Sequence, residues 1–289
     1  MTIREALSLG KAGLAAAGIE NPGLDASLLL AEVLGTSRSS PAIAAGGSGH
    51  WLGEGQFAAF NRLIKRRAEG ECVAYILGRK EFYGLEFLVN PSVLVPRPDT
   101  ETLVEAALAH LLARGNQPLR ILDLCTGSGA VAIALKHQMP ELEAWATDIS
   151  PEALEVAKTN AARLLPLGEI HFRCGNLFQA LSEMELPLFD LIAGNPPYVL
   201  AGEIPSLSPE VRAEPAIALD GGMDGLDIIR GIVSCSPKFI RPGGSLILEA
   251  APHQMREIAL LLGKAGFTDI QTHQDLSGRD RVIGGRKNH

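Results

Sequence analysis

The sequence feature that most constrains the fold is an alternation of short apolar segments with helix-like segments, which begins near residue 99. This alternation is the signature of a parallel β-sheet flanked by helices. The predicted strands are Arg120–Leu124, Ala144–Asp148, Ile170–Cys174, Leu188–Gly194 and Ser245–Glu249. We therefore expect an α/β fold, in which ligands bind at the carboxyl ends of the strands.

The first seventy residues have a helical character instead. Residues 1–20 mix charged and apolar side chains, which predicts an amphipathic helix and not a signal peptide. Two more helices are predicted at residues 24–34 and 56–68, from apolar spacing and from start and stop residues. Aromatic and β-branched residues from Tyr75 to Val95, broken by glycines and Asn-Pro, predict a β-hairpin. We expect three parts: a helical substrate-recognition domain over 1–73, a hairpin linker over 74–96 and an α/β domain over 97–289.

Composition narrows the class of protein. A chain of 289 residues with 46% hydrophobic content can build one large and one smaller core. Its four cysteines are scattered and show no zinc-ligand spacing, which predicts neither a disulfide framework nor a metal site. This cysteine pattern fits a reducing cytoplasm, where we expect the protein to act. Because no uncharged apolar run is long enough to span a bilayer, we also expect it to be soluble and without membrane contact. The net charge of -7 argues against direct binding of nucleic acid.

A glycine loop over residues 123–130 follows the first of these strands and opens a helix. Glycines let the backbone approach a ligand closely, and the helix start supplies free amides. Asp148 ends the next strand, about 20 residues further on, where a carboxylate can accept hydrogen bonds from ribose hydroxyls. Such a loop alone is also an ordinary strand-to-helix turn, but loop and acid together indicate a cofactor that contains a nucleoside.

Two cofactors fit this pattern at first. Gly127-Ser-Gly129-Ala-Val-Ala132 satisfies the permissive dinucleotide pattern, so a nicotinamide oxidoreductase is one interpretation. Asp123 favours the other interpretation, because a carboxylate before the loop would repel a pyrophosphate. S-adenosylmethionine carries an ammonium group and no phosphate, so a carboxylate beside the loop suits it.

Asn195-Pro196-Pro197-Tyr198 stands at the carboxyl end of another predicted strand. The Asn195 carbonyl oxygen and the Pro196 backbone carbonyl can each accept a hydrogen bond from an NH2 group, and Tyr198 can stack on a flat group. An isolated Asn-Pro-Pro is most often a rigid turn. Together with the glycine loop and Asp148, which also follow strands of this sheet, these four residues predict a substrate-binding site that holds a planar nitrogen. We call Asn195–Tyr198 the clamp. We expect Asn195, Pro196 and Tyr198 to be catalytic and Pro197 to contact the substrate.

Further segments, together with this motif, resemble the release-factor glutamine methyltransferase (PrmC/HemK) family over nearly the whole chain. They are Tyr75–Gly78, Phe82–Gly84, Val95–Glu101, Glu214–Pro215, Gly221–Leu226 and Asp275–Val282. The resemblance implies a Rossmann-like, seven-stranded class I methyltransferase domain with a small helical domain in front. It also implies S-adenosylmethionine as cofactor and the glutamine of the Gly-Gly-Gln motif of class I release factors as acceptor.

The resemblance also implies a set of cofactor contacts. They are Asp123, Cys125, Thr126, Gly127, Ser128, Gly129, Asp148, Asn176, Leu177 and Asn195. The sequence departs from the family pattern at four positions. Cys125 stands where glycine is common, which strains the loop if φ is positive there. Asn176 replaces an aspartate, Leu177 replaces a larger aromatic residue, and Cys72 replaces a proline.

Other functions fit the same residues. One is a methyltransferase for a ribosomal-protein glutamine or for an exocyclic base amine of nucleic acid. A second is the nicotinamide oxidoreductase, and a third is a module that binds the cofactor without catalysis. The sequence offers no clear side-chain base for a glutamine amide, so catalysis is expected to rest on positioning and electrostatics. Glu249, at the end of a strand, is a weaker site candidate.

Overall fold

The computed structural model describes residues 1–37, 39, 40, 43, 50–115, 118–166, 168–182 and 188–288. The chain divides into two units. The first comprises Met1–Arg79 and Ser208–Ala213, and the second comprises Lys80–Leu207 and Glu214–His289. No helix within the described residues is both long enough and apolar enough to cross a membrane.

The first unit is helical, as the sequence predicted. Its helices are α1 (Ile3–Ala16), α2 (Pro22–Leu34), α3 (Glu54–Ala68), α4 (Val73–Leu77) and, later in the chain, α8 (Pro209–Arg212). Thr2 and Glu5 cap the start of α1 reciprocally, and Pro22 occupies the first turn of α2. Leu14, Leu30 and Phe60 are fully buried in the core that these helices share.

A buried arginine joins three segments of the helical unit. Arg67, near the end of α3, donates to Asp25 at 2.7 Å and to Glu210 of α8 at 2.6 Å. Its side chain is only 6% exposed, so both carboxylates are needed to compensate a charge removed from water. This contact is why a short helix from the second half of the chain belongs to the helical unit.

A hairpin follows the helical segment, with strands β1 (Arg79–Phe82) and β2 (Leu85–Leu88). The prediction of a hairpin is confirmed, but the expectation that it begins at Tyr75 is wrong. Residues 73–77 form helix α4 instead, because Val73, Ile76 and Leu77, which are three and four positions apart, pack into the apolar core of the helical unit. Gly78, at φ 70°, then ends this helix in the left-handed conformation.

The second unit contains one seven-stranded sheet. Its strands are β3 (Arg120–Leu124), β4 (Glu143–Asp148), β5 (Ile170–Cys174), β6 (Phe189–Gly194), β7 (Ile240–Glu249), β8 (Phe267–Gln274) and β9 (Asp280–Lys287). The order is β5-β4-β3-β6-β7-β9-β8; the first five strands are parallel, and β9 is antiparallel to both its neighbours. The seven-stranded α/β fold is therefore confirmed. The strand order reverses direction between β3 and β6, which opens a crevice at their carboxyl ends.

Helices cover this sheet. They are α5 (Glu101–Leu112), α6 (Ala130–Gln138), α7 (Pro151–Leu164), α9 (Asp227–Cys235) and α10 (Met255–Lys264). Alternate residues of β3 enter different cores: Ile121 belongs to one apolar cluster, while Leu122 and Leu124 belong to the other. Strands buried on both faces in this way read as continuous apolar runs, which explains why the parallel strands were recognisable. The edge strand β8 is mostly exposed and carries no such run.

Candidate active site

A pocket lies at the carboxyl ends of β3, β4 and β6. Nine of the ten predicted cofactor contacts line it: Asp123, Cys125, Thr126, Gly127, Ser128, Asp148, Asn176, Leu177 and Asn195. The tenth, Gly129, is the N-cap residue that precedes helix α6, and its φ is 83°. A Cβ at Gly129 would lie 2.9 Å from Ile133 and 3.2 Å from Ala157. Nine of the predicted contacts therefore lie together around one pocket. At Gly129, glycine is required for the close packing of the neighbouring helices.

The glycine loop is tied to the neighbouring strand by its backbone. The amide of Thr126 donates to the carbonyl of Thr147 at 3.0 Å, and the amide of Gly127 donates to Asp148 Oδ2 at 2.8 Å. Cys125 has a φ of 57°, so the backbone strain expected for a residue other than glycine at this position is present. Burial raises the pKa of the Cys125 thiol, and the charges of Asp148 and Asp123 raise it further. The thiol is therefore neutral and unsuited to act as a nucleophile.

Asp148 is held rigidly by backbone amides. Its Oδ2 accepts from Gly127, and its Oδ1 accepts from the amide of Ser150 at 3.0 Å. Burial raises the pKa of this carboxyl, whereas the backbone donors of Ser150 and Gly127 lower it. Each carboxylate oxygen has two acceptor positions, so Asp148 can still accept from a pair of ligand hydroxyls. This geometry fits a ribose.

Asp123 is a buried carboxyl at the floor of the pocket, with 1% of its surface exposed. Both of its hydrogen bonds reach the same oxygen: Thr126 Oγ1 donates to Oδ2 at 2.6 Å, and the amide of Ala132 donates at 3.2 Å. Burial raises the pKa of Asp123 to about 7, against the lowering effect of those two donors. The other oxygen remains free of these donors. A buried carboxylate with a free oxygen fits the ammonium group of S-adenosylmethionine and would repel a phosphate.

The Asn-Pro-Pro-Tyr segment leaves β6 at the edge of the same pocket, where Asn195 and Pro197 line the wall. The side-chain NH2 group of Asn195 donates to Thr100 Oγ1 at 3.2 Å. This contact leaves the carbonyl oxygen of Asn195 available as an acceptor. Pro196 is buried, and Tyr198 packs partly against an apolar core cluster. The Tyr198 hydroxyl donates to Glu249 Oε1 at 3.0 Å, while burial raises the pKa of the phenol.

Residues that support this segment or line the pocket were missed as site residues. Gln254 donates from Nε2 to the carbonyl of Tyr198 at 3.0 Å and to that of Gly225 at 3.2 Å. Arg97 lines the pocket and pairs with the buried Glu214 at 2.7 Å. Arg97 and Glu214 lie in segments that were noted only for the family resemblance, and no signal in the sequence pointed to Gln254.

Comparisons with known proteins agree with this geometry. A model described as the PrmC N-terminal domain matches residues 5–78, and one described as the methyltransferase small domain matches residues 100–207. A release factor glutamine methyltransferase from Geobacter sulfurreducens is 40% identical over 286 residues, covering 99% of this chain and 96% of that protein. One from Moorella thermoacetica is 39% identical, covering 98% of each chain.

The chain belongs to the release factor glutamine methyltransferase family. It is an enzyme that depends on S-adenosylmethionine, and the nicotinamide oxidoreductase considered from its glycine pattern is excluded. Solved structures share the fold at low identity. A methyltransferase from Pyrococcus furiosus has a TM-score of 0.52 at 18% identity, covering 79% of this chain and 99% of that one. A 16S rRNA methyltransferase from T. thermophilus has a TM-score of 0.53 at 20% identity, covering 73% and 50%.

Proposed function

We propose that this enzyme methylates the side-chain amide nitrogen of the glutamine in the Gly-Gly-Gln motif of class I release factors. The observation that carries the proposal is the orientation of Asn195, whose NH2 group is engaged by Thr100. Its carbonyl oxygen is therefore an acceptor for an incoming NH2 group. The names of the family's members supply the release factor as the substrate.

A glutamine amide nitrogen is a poor nucleophile, because its lone pair is delocalised into the carbonyl group. S-adenosylmethionine, when bound, supplies an electrophilic methyl group. The protein then has two tasks, which are to align the nitrogen and to stabilise the positive charge that grows on it. In this proposal the Asn195 side-chain carbonyl and the Pro196 backbone carbonyl accept the two NH2 hydrogens. Tyr198 and Pro197 confine the flat amide between them.

The residues of the pocket have separate roles in this proposal. Asp148 holds the ribose, Asp123 holds the ammonium group, and the side chains of Asn176 and Leu177 receive the adenine. We propose residues 1–73 as the domain that recognises the protein substrate, 74–96 as a linker and 97–289 as the methyltransferase domain. The reaction belongs to the cytoplasm, where translation takes place, and it needs no direct contact with nucleic acid.

The test is methylation of an intact class I release factor, followed by mass analysis of its tryptic peptides. One added methyl group is expected on the Gly-Gly-Gln peptide. Replacing that glutamine by glutamate removes the acceptor, and replacing either glycine by valine crowds the clamp, so both changes should suppress the reaction. A methyl group found on a ribosomal protein or on nucleic acid, with none on the release factor, would refute the proposed substrate.

A further inference from the structure

Arg97 is the one positively charged side chain among the described residues that line the pocket at the carboxyl ends of β3, β4 and β6. The other charged residues of this lining are Asp123 and Asp148. S-adenosylmethionine brings an ammonium group and a carboxylate on the same carbon atom. The ammonium group and the ribose suit the two aspartates, which would repel the carboxylate. A pocket that binds this cofactor therefore needs a group that attracts a negative charge.

A buried carboxylate holds the Arg97 guanidinium in the pocket wall. Arg97 Nη2 donates to Glu214 Oε1 at 2.7 Å and to Oε2 at 2.8 Å. The Glu214 side chain is only 1% exposed, whereas that of Arg97 is 36% exposed. Both hydrogen bonds that the guanidinium makes to described residues come from Nη2. Its Nε and Nη1 therefore keep their N–H groups for a ligand.

The turn that follows Arg97 is tied to the end of a strand beside Asp123. In this turn the amide of Thr100 donates to the carbonyl of Arg97 at 3.1 Å. The Thr100 hydroxyl accepts from the side-chain NH2 group of Asn195 at 3.2 Å. Asn195 directly follows β6, in which Ala193 lies opposite Asp123 of β3. One short turn and one hydrogen bond thus connect Arg97 to the strand next to Asp123, an arrangement that suits a ligand with both charges on one carbon atom.

We propose that Arg97 binds the carboxylate of the cofactor's methionine portion, while Glu214 holds the guanidinium in place. Arginine suits this task because its guanidinium stays charged and donates from several nitrogen atoms. The ion pair with Glu214 also limits the rotation of the side chain, so less conformational freedom is lost when the cofactor binds. Arg97 and Asp123 together select a ligand with an intact amino-acid portion. The inference concerns the cofactor alone and does not depend on which protein is methylated.

The test measures binding to the full-length protein by calorimetry for three ligands. They are S-adenosylmethionine, its decarboxylated form, which keeps the ammonium group, and methylthioadenosine, which lacks both charged groups. The wild-type protein should bind S-adenosylmethionine roughly tenfold to a hundredfold more tightly than the decarboxylated form. Arg97→Met should lose about that factor for S-adenosylmethionine and bind the decarboxylated form no more weakly than the wild type does. Its unchanged affinity for methylthioadenosine would report that the pocket is folded.

Matched variants separate the charge of Arg97 from its place in the wall. Arg97→Met removes the partner of a buried carboxylate, which itself can destabilise the protein. The double variant Arg97→Met/Glu214→Gln removes both charges and should show the same loss of preference for S-adenosylmethionine. Arg97→Lys keeps a positive charge and should retain part of the preference. Asp123→Asn gives the complementary result, since it should weaken binding of both charged ligands and leave the preference between them.

Two results would overturn the inference. One is an equal loss of affinity for S-adenosylmethionine and its decarboxylated form in Arg97→Met and in the double variant, which would give Arg97 a purely structural role. The other is a wild-type protein that binds the two forms equally well. If no class I release factor is methylated, the proposed substrate fails, but these binding measurements still decide the role of Arg97.

Discussion

The affinity for S-adenosylmethionine should depend on pH through Asp123. Burial raises the pKa of this carboxyl to about 7 in the free protein. The cofactor's ammonium group binds favourably only to the ionised form, so protonation of Asp123 competes with binding. If binding requires ionised Asp123, the dissociation constant should rise about twofold at pH 7 and about tenfold at pH 6, relative to the limit at high pH. The cofactor's own amino group loses its proton near pH 8, which sets the upper end of the useful range.

The same shift predicts the opposite effect on the free protein's stability. A carboxyl whose pKa is raised on folding binds its proton more tightly in the folded state than in the unfolded state. Its contribution to the free energy of unfolding is therefore greatest below the unfolded pKa of about 4, and it declines as pH rises towards 7. The rise of the pKa from 3.8 to about 7 corresponds to roughly 4 kcal/mol over that whole interval. Between pH 5.5 and 7.5, stability should fall while cofactor affinity rises.

Isothermal titration with S-adenosylmethionine between pH 5.5 and 7.5, paired with chemical denaturation of the free protein, measures both trends. Asp123→Asn is the matched control, because its side-chain oxygen can keep the hydrogen bonds from Thr126 and Ala132. This variant should bind the cofactor weakly and lose the part of the pH dependence that belongs to Asp123. A wild-type affinity that is constant over this range, or equally steep in Asp123→Asn, would refute the reasoning.

Three further outcomes are expected from substitution. Asn195→Ala should raise the activation free energy by about 3 kcal/mol and so lower kcat, because it removes a hydrogen bond to the transition state; comparable turnover in this variant would contradict the clamp. Asp148→Ala should weaken binding of S-adenosylmethionine in calorimetry, with no binding of NAD in a parallel titration; an unchanged affinity would mean that the ribose lies elsewhere. Arg67→Ala should lower the free energy of unfolding by about 3–5 kcal/mol, since Asp25 would be left buried without its partner. The exposed ion pair between Arg66 and Glu71 is the control, and Arg66→Ala should lower the free energy of unfolding by at most about 1 kcal/mol. Equal losses in the two variants would show that burial of the ion pair does not matter here.

The sequence by itself determined the parts of this protein that depend on local chemistry. Four of the five parallel strands, all except the edge strand β5, are largely buried, so their apolar runs stand out, and the structure confirms all five predicted strands. The glycine loop and Asp148 could be located because a strand, a tight turn and a helix start each demand particular residues nearby. Asn195–Tyr198 was recognisable because two prolines restrict the backbone wherever they occur. These signals, together with the family resemblance, sufficed for the fold and for the predicted cofactor contacts, nine of which line the pocket.

Tertiary structure alone decided which side chains support those residues. Thr100 stands 95 positions before Asn195, and Glu249 stands 51 positions after Tyr198, yet each pair is joined by a hydrogen bond. The raised pKa of Asp123 likewise comes from burial, which the sequence does not specify for a single carboxyl. Hydrogen bonds and desolvation act over a few ångströms in space, whatever the separation along the chain. The partners of a site residue become known only when the strands that carry them are laid side by side.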